Sequence, residues 1–291
     1  MKNYKTPEKS TLFEAMKRIY PDSSNTTIRS FLERRRVYVD SVLCTKPKEI
    51  IEKDQIISIS PILKKIPYGI EIIFEDKDIL VINKPENLLS VPLDKEKAEN
   101  ALSVLRTYFN TKNIFVVHRI DKKTSGVMMF AKHQEAIDRL NLMFKNHELK
   151  REYLAVVEGN LKEKEGTWKS YLVENKQYYV RSIENGGSVK NTAENETEGK
   201  IAITHFSVIR RSKKFTYLKL NLETGRKHQI RVHCQDAGHP ILGDNRYSSF
   251  KSPVSRMCLH SSLLEFLHPM TGKKMSFVAP VPQKFKKLGN F

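Results

Sequence analysis

The segment His118-Arg119-Ile120-Asp121-Lys122-Lys123-Thr124-Ser125-Gly126 sets one carboxylate among three cations between two apolar runs. Neighbouring positive charge favours the ionised carboxylate, and an ionised carboxylate can act as a nucleophile. A loop at a strand end is also where a scaffold can hold a reactive group rigidly. The same residues equally describe a plain turn in which Asp121 pairs with a Lys or Arg, and the segment alone leaves both readings open. His228, His233 and Cys234 invite a metal centre, but a spacing of five does not bring two imidazoles to one helical face, and no third ligand cluster accompanies them. No metal is expected. The chain shows no Gly-rich phosphate loop and no nicotinamide fingerprint, so no cofactor is expected either.

The elements that must position such a loop can be traced from periodicity. Leu12, Phe13, Met16, Ile19 and Tyr20 recur at helical spacing, and after Pro21 and the capping candidates Ser23 and Ser24 come Ile28, Phe31 and Leu32. These predict two short helices, followed by strands at Val37-Tyr38-Val39 and over 55–60. Arg29, Arg34, Arg35 and Arg36 fall on the second helix and its exit, either as a merely solvated surface or as a presented charged face. Pro61, Lys64, Lys65 and Pro67 interrupt periodicity and predict a linker over 61–68. Beyond it, strands are predicted over 70–74, 79–83, 115–118, 127–131, 153–157, 201–210, 215–222 and 259–267, with helices over 98–109 and 134–144. Residues 184–200 read as an exposed excursion. Strands with interspersed helices and no regular βαβ alternation predict an α+β fold on a mixed, largely antiparallel sheet. The expected division is 10–60, a linker at 61–68, and a catalytic domain over 69–291.

Fifty-one Lys and Arg face 33 Asp and Glu, a formal charge of +18 in 291 residues, which calls for an extended anionic partner. Nucleic acid leads, since no run of about 18 apolar residues offers a membrane span. Residues 1–10 lack the apolar stretch of a secretory signal, and Cys44, Cys234 and Cys258 form no Cys-x-x-Cys pair. A cytoplasmic location, reduced thiols and a monomer are the expectations.

The motif His118 to Gly126, continuing through Val127-Met128-Met129-Phe130-Ala131-Lys132, resembles the catalytic motif of RluA-type pseudouridine synthases. Ile79 to Pro85 is similar to the family's first motif, Lys150 to Gly159 to the segment with its active-site tyrosine, and Thr224 to His233 to its third motif, with Gly238 to Asp244 following. The five blocks stand in order between roughly 70 and 280. The resemblance implies an isomerase that detaches uracil from ribose at nitrogen 1, turns it and rejoins it through carbon 5. It implies Asp121 as nucleophile, Arg231 as its ion-pair partner, Tyr153 stacking on the uracil, and Arg119 filling the space the everted nucleotide leaves. Arg226, His228 and Gln229 would contact phosphate or support the pocket, unless they only cap and pack, and Lys84 would line the site, unless it is simply exposed. The unit over 10–60 resembles an alpha-L type RNA-binding domain. Two departures stand out: Asp40-Ser41 replaces the usual Asn-Gly turn, and Glu86 follows Pro85 where Gly is usual. The implied substrate is large-subunit ribosomal RNA first and transfer RNA second; the competing reading from another class is a noncatalytic RNA-binding or ribosome-assembly protein.

Overall fold

In the computed structural model the described residues are 2–33, 36–40, 42–59, 64–92, 99–183, 199–248, 251–286 and 288. Arg34 and Arg35 lie outside them, as do 61–63 of the expected linker and nearly all of the expected excursion, 184–198.

The N-terminal unit contains β1 (Lys2–Lys5), β2 (Ser10–Thr11), α1 (Leu12–Ile19), α2 (Asn25–Glu33), β3 (Val37–Val39), β4 (Val42–Leu43), β5 (Ile50–Ile51) and β6 (Ile56–Ile59). Thr11 and Glu14 close a capping box at the start of α1, which buries Leu12, Ala15 and Met16. Ser24 Oγ accepts from the Thr27 N–H at 3.1 Å and caps α2, whose Ile28 and Leu32 join the same core. The antiparallel sheet β1-β6-β3-β4 completes the unit. Asp40 takes the left-handed turn conformation (φ 47°) that Asn or Gly would supply, and its carboxylate accepts from the Ile56 N–H at 2.9 Å.

The larger sheet is built from β7 (Lys64–Lys65), β8 (Glu71–Glu75), β9 (Ile79–Lys84), β10 (Phe115–Val116) and β11 (Ser125–Ala131). It continues with β12 (Lys150–Glu158), β13 (Glu165–Glu174), β14 (Val180–Ile183), β15 (Lys200–Arg211), β16 (Phe215–Leu222), β17 (Leu259–Leu267) and β18 (Lys274–Val278). The main path runs β14-β13-β15-β16-β12-β17-β11-β9-β8-β7, with β10 on β11 and β18 on β17. Every pairing between these strands is antiparallel except β11 with β17, so the α+β expectation with a mixed, largely antiparallel sheet holds. Periodicity left β1, β2, β4, β5, β13, β14 and β18 unassigned. Within the expected linker, Lys64 and Lys65 pair with β8 as an edge strand.

The sheet is covered on both faces, and side-chain alternation shows it. Along β9 and β11, Leu80, Ile82, Met128 and Phe130 pack in one core with α3 (Ala101–Tyr108). Ile79, Val81, Val127, Met129 and Ala131 pack in the other, with Ala136, Leu140 and Met143 of α4 (Gln134–Lys145). Two further helices, α5 (Gln229–Asp236) and the short α6 (Gln283–Lys286), complete the chain. Tyr38 of the N-terminal unit packs on Leu263 and Val278 of the larger sheet. Among the described residues, no helix is long and apolar enough to cross a membrane.

Candidate active site

Three segments converge on a cleft of about 260 Å³: the turn from Val117 to Thr124, the start of β12, and the stretch from Leu222 to Arg231 that enters α5. The turn is fixed where it joins β11. Gly126 has φ +119°, and a Cβ there would meet the Ser261 carbonyl oxygen of parallel β17 at 2.0 Å, so only glycine lets the two strands run this close. The Thr124 N–H donates to the Asp121 carbonyl at 3.0 Å and closes the turn beneath the carboxylate.

Asp121 and Arg231 stand 110 positions apart in sequence, yet Arg231 Nη1 donates to Asp121 Oδ2 at 3.1 Å. The rest of the guanidinium is gripped by a carboxylate without a role in the motif reading: Arg231 Nε and Nη2 donate to Asp244 Oδ2 and Oδ1 at 2.6 and 2.8 Å, a bidentate pair. The Asp244 side chain is 1% exposed and Asp121 is 23% exposed, so one carboxylate is structural in its surroundings and the other faces the cleft. Burial works against the Arg231 charge, but the hydrogen bond to Asp244 and the charges of both carboxylates more than offset it and hold the guanidinium above its usual range. Its Cζ lies 4.9 Å from the Tyr247 ring centroid.

His228 sits at the start of α5 in a left-handed conformation (φ 54°) and caps nothing with its side chain. The Tyr247 hydroxyl donates to the Val180 carbonyl at 3.0 Å, so the 2.9 Å contact between His228 Nδ1 and that hydroxyl puts the proton on Nδ1. Nε2 then points to Asp121 Oδ2, 3.9 Å away. Tyr153, nearly buried on β12, also lines the cleft. Burial raises its phenol above the ordinary value, so the ring enters the cleft protonated and uncharged. Arg119 and Arg226 stand exposed at the rim.

Gln229 takes the supporting role among those expected of it, and Lys84 departs from both of its expected places. Gln229 is 2% exposed and fully engaged: its Oε1 accepts from Thr224 Oγ1 (2.7 Å) and the Arg226 N–H (3.0 Å), while its Nε2 donates to the Ile203 carbonyl (3.0 Å) and Thr204 Oγ1 (2.9 Å). It braces the loop that carries Arg226. Lys84 is neither exposed nor on the cleft wall. Its fully buried Nζ donates to the carbonyls of Pro85, Leu88 and Lys122 at 2.8, 2.7 and 3.3 Å, tying the loop after β9 to the Asp121 turn, and burial pushes it down to about 7. Glu86 likewise serves the fold: it pairs with Arg256 at 3.1 Å, while Asn87 (φ 65°) adopts the left-handed conformation a glycine would take. Arg29 and Arg36 lie in the N-terminal unit, each over a ring, Phe13 and Phe31 respectively. His233 contacts Thr204 and Ser170 and does not converge with His228 on one point.

The site rests on imidazoles that must stay neutral. His118 Nε2 accepts the Met129 N–H at 2.9 Å, and burial together with the Arg151 charge pushes it down to about 3. Burial takes His228 and His233 to about 4 and His260 to about 3. In the unfolded chain the same rings protonate near 6.5. As pH falls below about 6.5 the unfolded state binds protons that the folded state refuses, so each ring removes roughly 1.4 kcal/mol of stability per pH unit until its folded value is reached. Urea titrations between pH 7 and 4.5 are expected to show this loss, with a slope smaller by about one proton in His233→Gln; an unchanged slope in that variant would contradict the assignment.

Comparison with known proteins gives the chain its relatives. A family model described as RNA pseudouridylate synthase matches residues 78–236. The chain is similar to an uncharacterized RNA pseudouridine synthase, YjbO, of Bacillus subtilis, 34% identical over 235 residues, covering 79% of each chain. It is also similar to ribosomal large subunit pseudouridine synthase D of Escherichia coli K12, 30% identical over 303 residues, covering 95% of this chain and 89% of that one. Among solved structures, human RNA pseudouridylate synthase domain containing 4 superposes with a TM-score of 0.59 at 22% identity, over 74% of this chain and 89% of that one.

Proposed function

The chain belongs to the RNA pseudouridylate synthase family and is an RNA pseudouridine synthase, and on that premise we propose that Asp121 is its nucleophile and large-subunit ribosomal RNA its substrate. The observation that carries the first part is the Asp121 carboxylate standing in the cleft 3.1 Å from a guanidinium that Asp244 holds from behind. Isomerisation needs a nucleophile that binds while the N-glycosidic bond breaks, lets the uracil turn in place, and leaves when carbon 5 is joined. Asp121 supplies the oxygen, Arg231 orients it, and the uncharged Tyr153 ring is the face on which the detached uracil stacks. A base in a helix cannot reach a carboxylate at the floor of a cleft, so the uridine is everted; that costs a few kcal/mol, and Arg119 at the rim offsets part of it by filling the vacated stack.

The choice of RNA is supported by the name of a relative that matches nearly the whole chain, a ribosomal large subunit pseudouridine synthase. Mapping pseudouridines in total RNA with and without the gene is expected to remove one or a few positions from large-subunit ribosomal RNA. Loss confined to transfer RNA would move the substrate assignment, and no loss anywhere would end it.

We also propose that residues 10–60 are an RNA-binding domain joined through 61–68 to a catalytic domain over 69–291. Phosphate contacts from Arg29 and Arg36 would add affinity without sequence information. Arg29→Glu is expected to weaken RNA binding and to lower the slope of log affinity against log salt by about one to two, with turnover at saturating RNA unchanged. An unaltered slope would remove Arg29 from the interface.

A further inference from the structure

We propose that Arg151 is the phosphate clamp of the cleft, taking a backbone phosphate of the RNA beside the everted uridine. The inference rests on the reading that this cleft receives the target uridine. Arg151 and Tyr153 are two positions apart on β12, so they project from one face of the strand, and both line the cleft. A register shift between Glu152 and Tyr153 against β17 marks the same point; such irregularities re-aim side chains beside active sites.

The Arg151 guanidinium is half satisfied. Nη2 donates to the Glu223 carbonyl at 3.0 Å and more weakly to Leu222 at 3.5 Å, and Cζ lies 5.5 Å from the Phe144 centroid. Nε is buried without a hydrogen-bond partner among the described residues, and no carboxylate of the described residues pairs with it. The two buried guanidiniums among the described residues are neutralised, Arg231 by Asp244 and Asp121 and Arg256 by Glu86. Burial pushes Arg151 down, opposed only by the nearby Tyr153 phenol, in keeping with a cation whose counter-charge is not among the described residues. Gly225 adds a steric observation: a Cβ there would come within 2.6 Å of Arg151 Nη1, so the guanidinium lies flush against the Gly225 backbone and a larger residue would push it aside. A full charge with a buried, unmatched Nε–H and no paired carboxylate calls for an anion rather than a neutral uracil carbonyl. In an RNA that anion is phosphate.

The test uses the full chain and a short single-stranded RNA carrying one uridine, its linkages replaced singly by uncharged methylphosphonate. In wild type, one linkage next to the uridine is expected to lose about tenfold in affinity on replacement. Arg151→Met is expected to bind the all-phosphate RNA about tenfold more weakly, to be indifferent to that linkage, and to show a salt slope lower by about one. Arg151→Lys should keep the slope while recovering only part of the affinity. Gly225→Ala, which displaces the guanidinium without removing its charge, should also become indifferent to that linkage and keeps the test open if Arg151→Met fails to fold. Wild-type affinity in Arg151→Met, or methylphosphonate losses identical in variant and wild type at every linkage, would overturn the clamp. Absence of pseudouridine formation by a wild-type chain that still shows the linkage effect would overturn the assigned reaction instead.

Discussion

Asp121→Asn is expected to lower pseudouridine formation by roughly four orders of magnitude or more, the scale seen when a nucleophile is removed from an otherwise intact site. The substitution keeps the shape and removes the charge. Its structural cost is small because the side chain is partly exposed and because Arg231 retains both hydrogen bonds to Asp244. The unfolding midpoint and the affinity for substrate RNA should therefore stay near wild type, which separates loss of chemistry from loss of fold or binding. Single-turnover kinetics on large-subunit ribosomal RNA, with denaturation of the same preparations, measure all three. A variant that turns over at the wild-type rate would remove Asp121 from the chemistry and place the nucleophile elsewhere in the cleft; a collapsed midpoint would mean the carboxylate serves the fold.

The part of this site that sequence could reveal is the part written in contiguous motifs. His118 to Gly126 announces a carboxylate on a turn because charge and apolar flanks are local properties, and the three principal residues do line one cleft. What no local pattern carries is the second partner of a side chain. Asp244 stands 13 residues after Arg231, beyond the end of α5, and its contact depends on how the loop back to β17 is folded. Arg151 was visible as one more cation in a basic chain, and its unmatched state is a property of the packing around it. Lys84 misled for the opposite reason. A lysine ending a strand is ordinarily solvated, but the turns after β9 and before β11 close over this one and present three carbonyls to it. The strands left unassigned have a similar cause: β13 alternates poorly, exposed over its first half and buried only near Leu172 and Val173, because its two ends meet different surroundings.

Arg231→Met tests the other half of the catalytic pair, and its expected effect reaches both stability and rate. The change strands Asp244, a carboxylate 1% exposed, without its bidentate partner. Breaking a buried pair from one side costs about 3 to 5 kcal/mol, so the midpoint of urea unfolding should fall steeply. Turnover should fall as well, since Asp121 loses the group that orients it, but instability alone could explain that result. The double substitution Arg231→Met with Asp244→Leu resolves the ambiguity. Replacing both members of a buried pair with apolar groups is often neutral, so most of the lost stability should return, while Asp121 still has no guanidinium at 3.1 Å and activity should stay down by two orders of magnitude or more, roughly the loss attached to misplacing a catalytic group. Recovery of rate along with stability would reduce Arg231 to a structural residue. Stability regained without rate would identify the guanidinium as the element that aims the nucleophile, with Asp244 as the anchor that makes the aim hold.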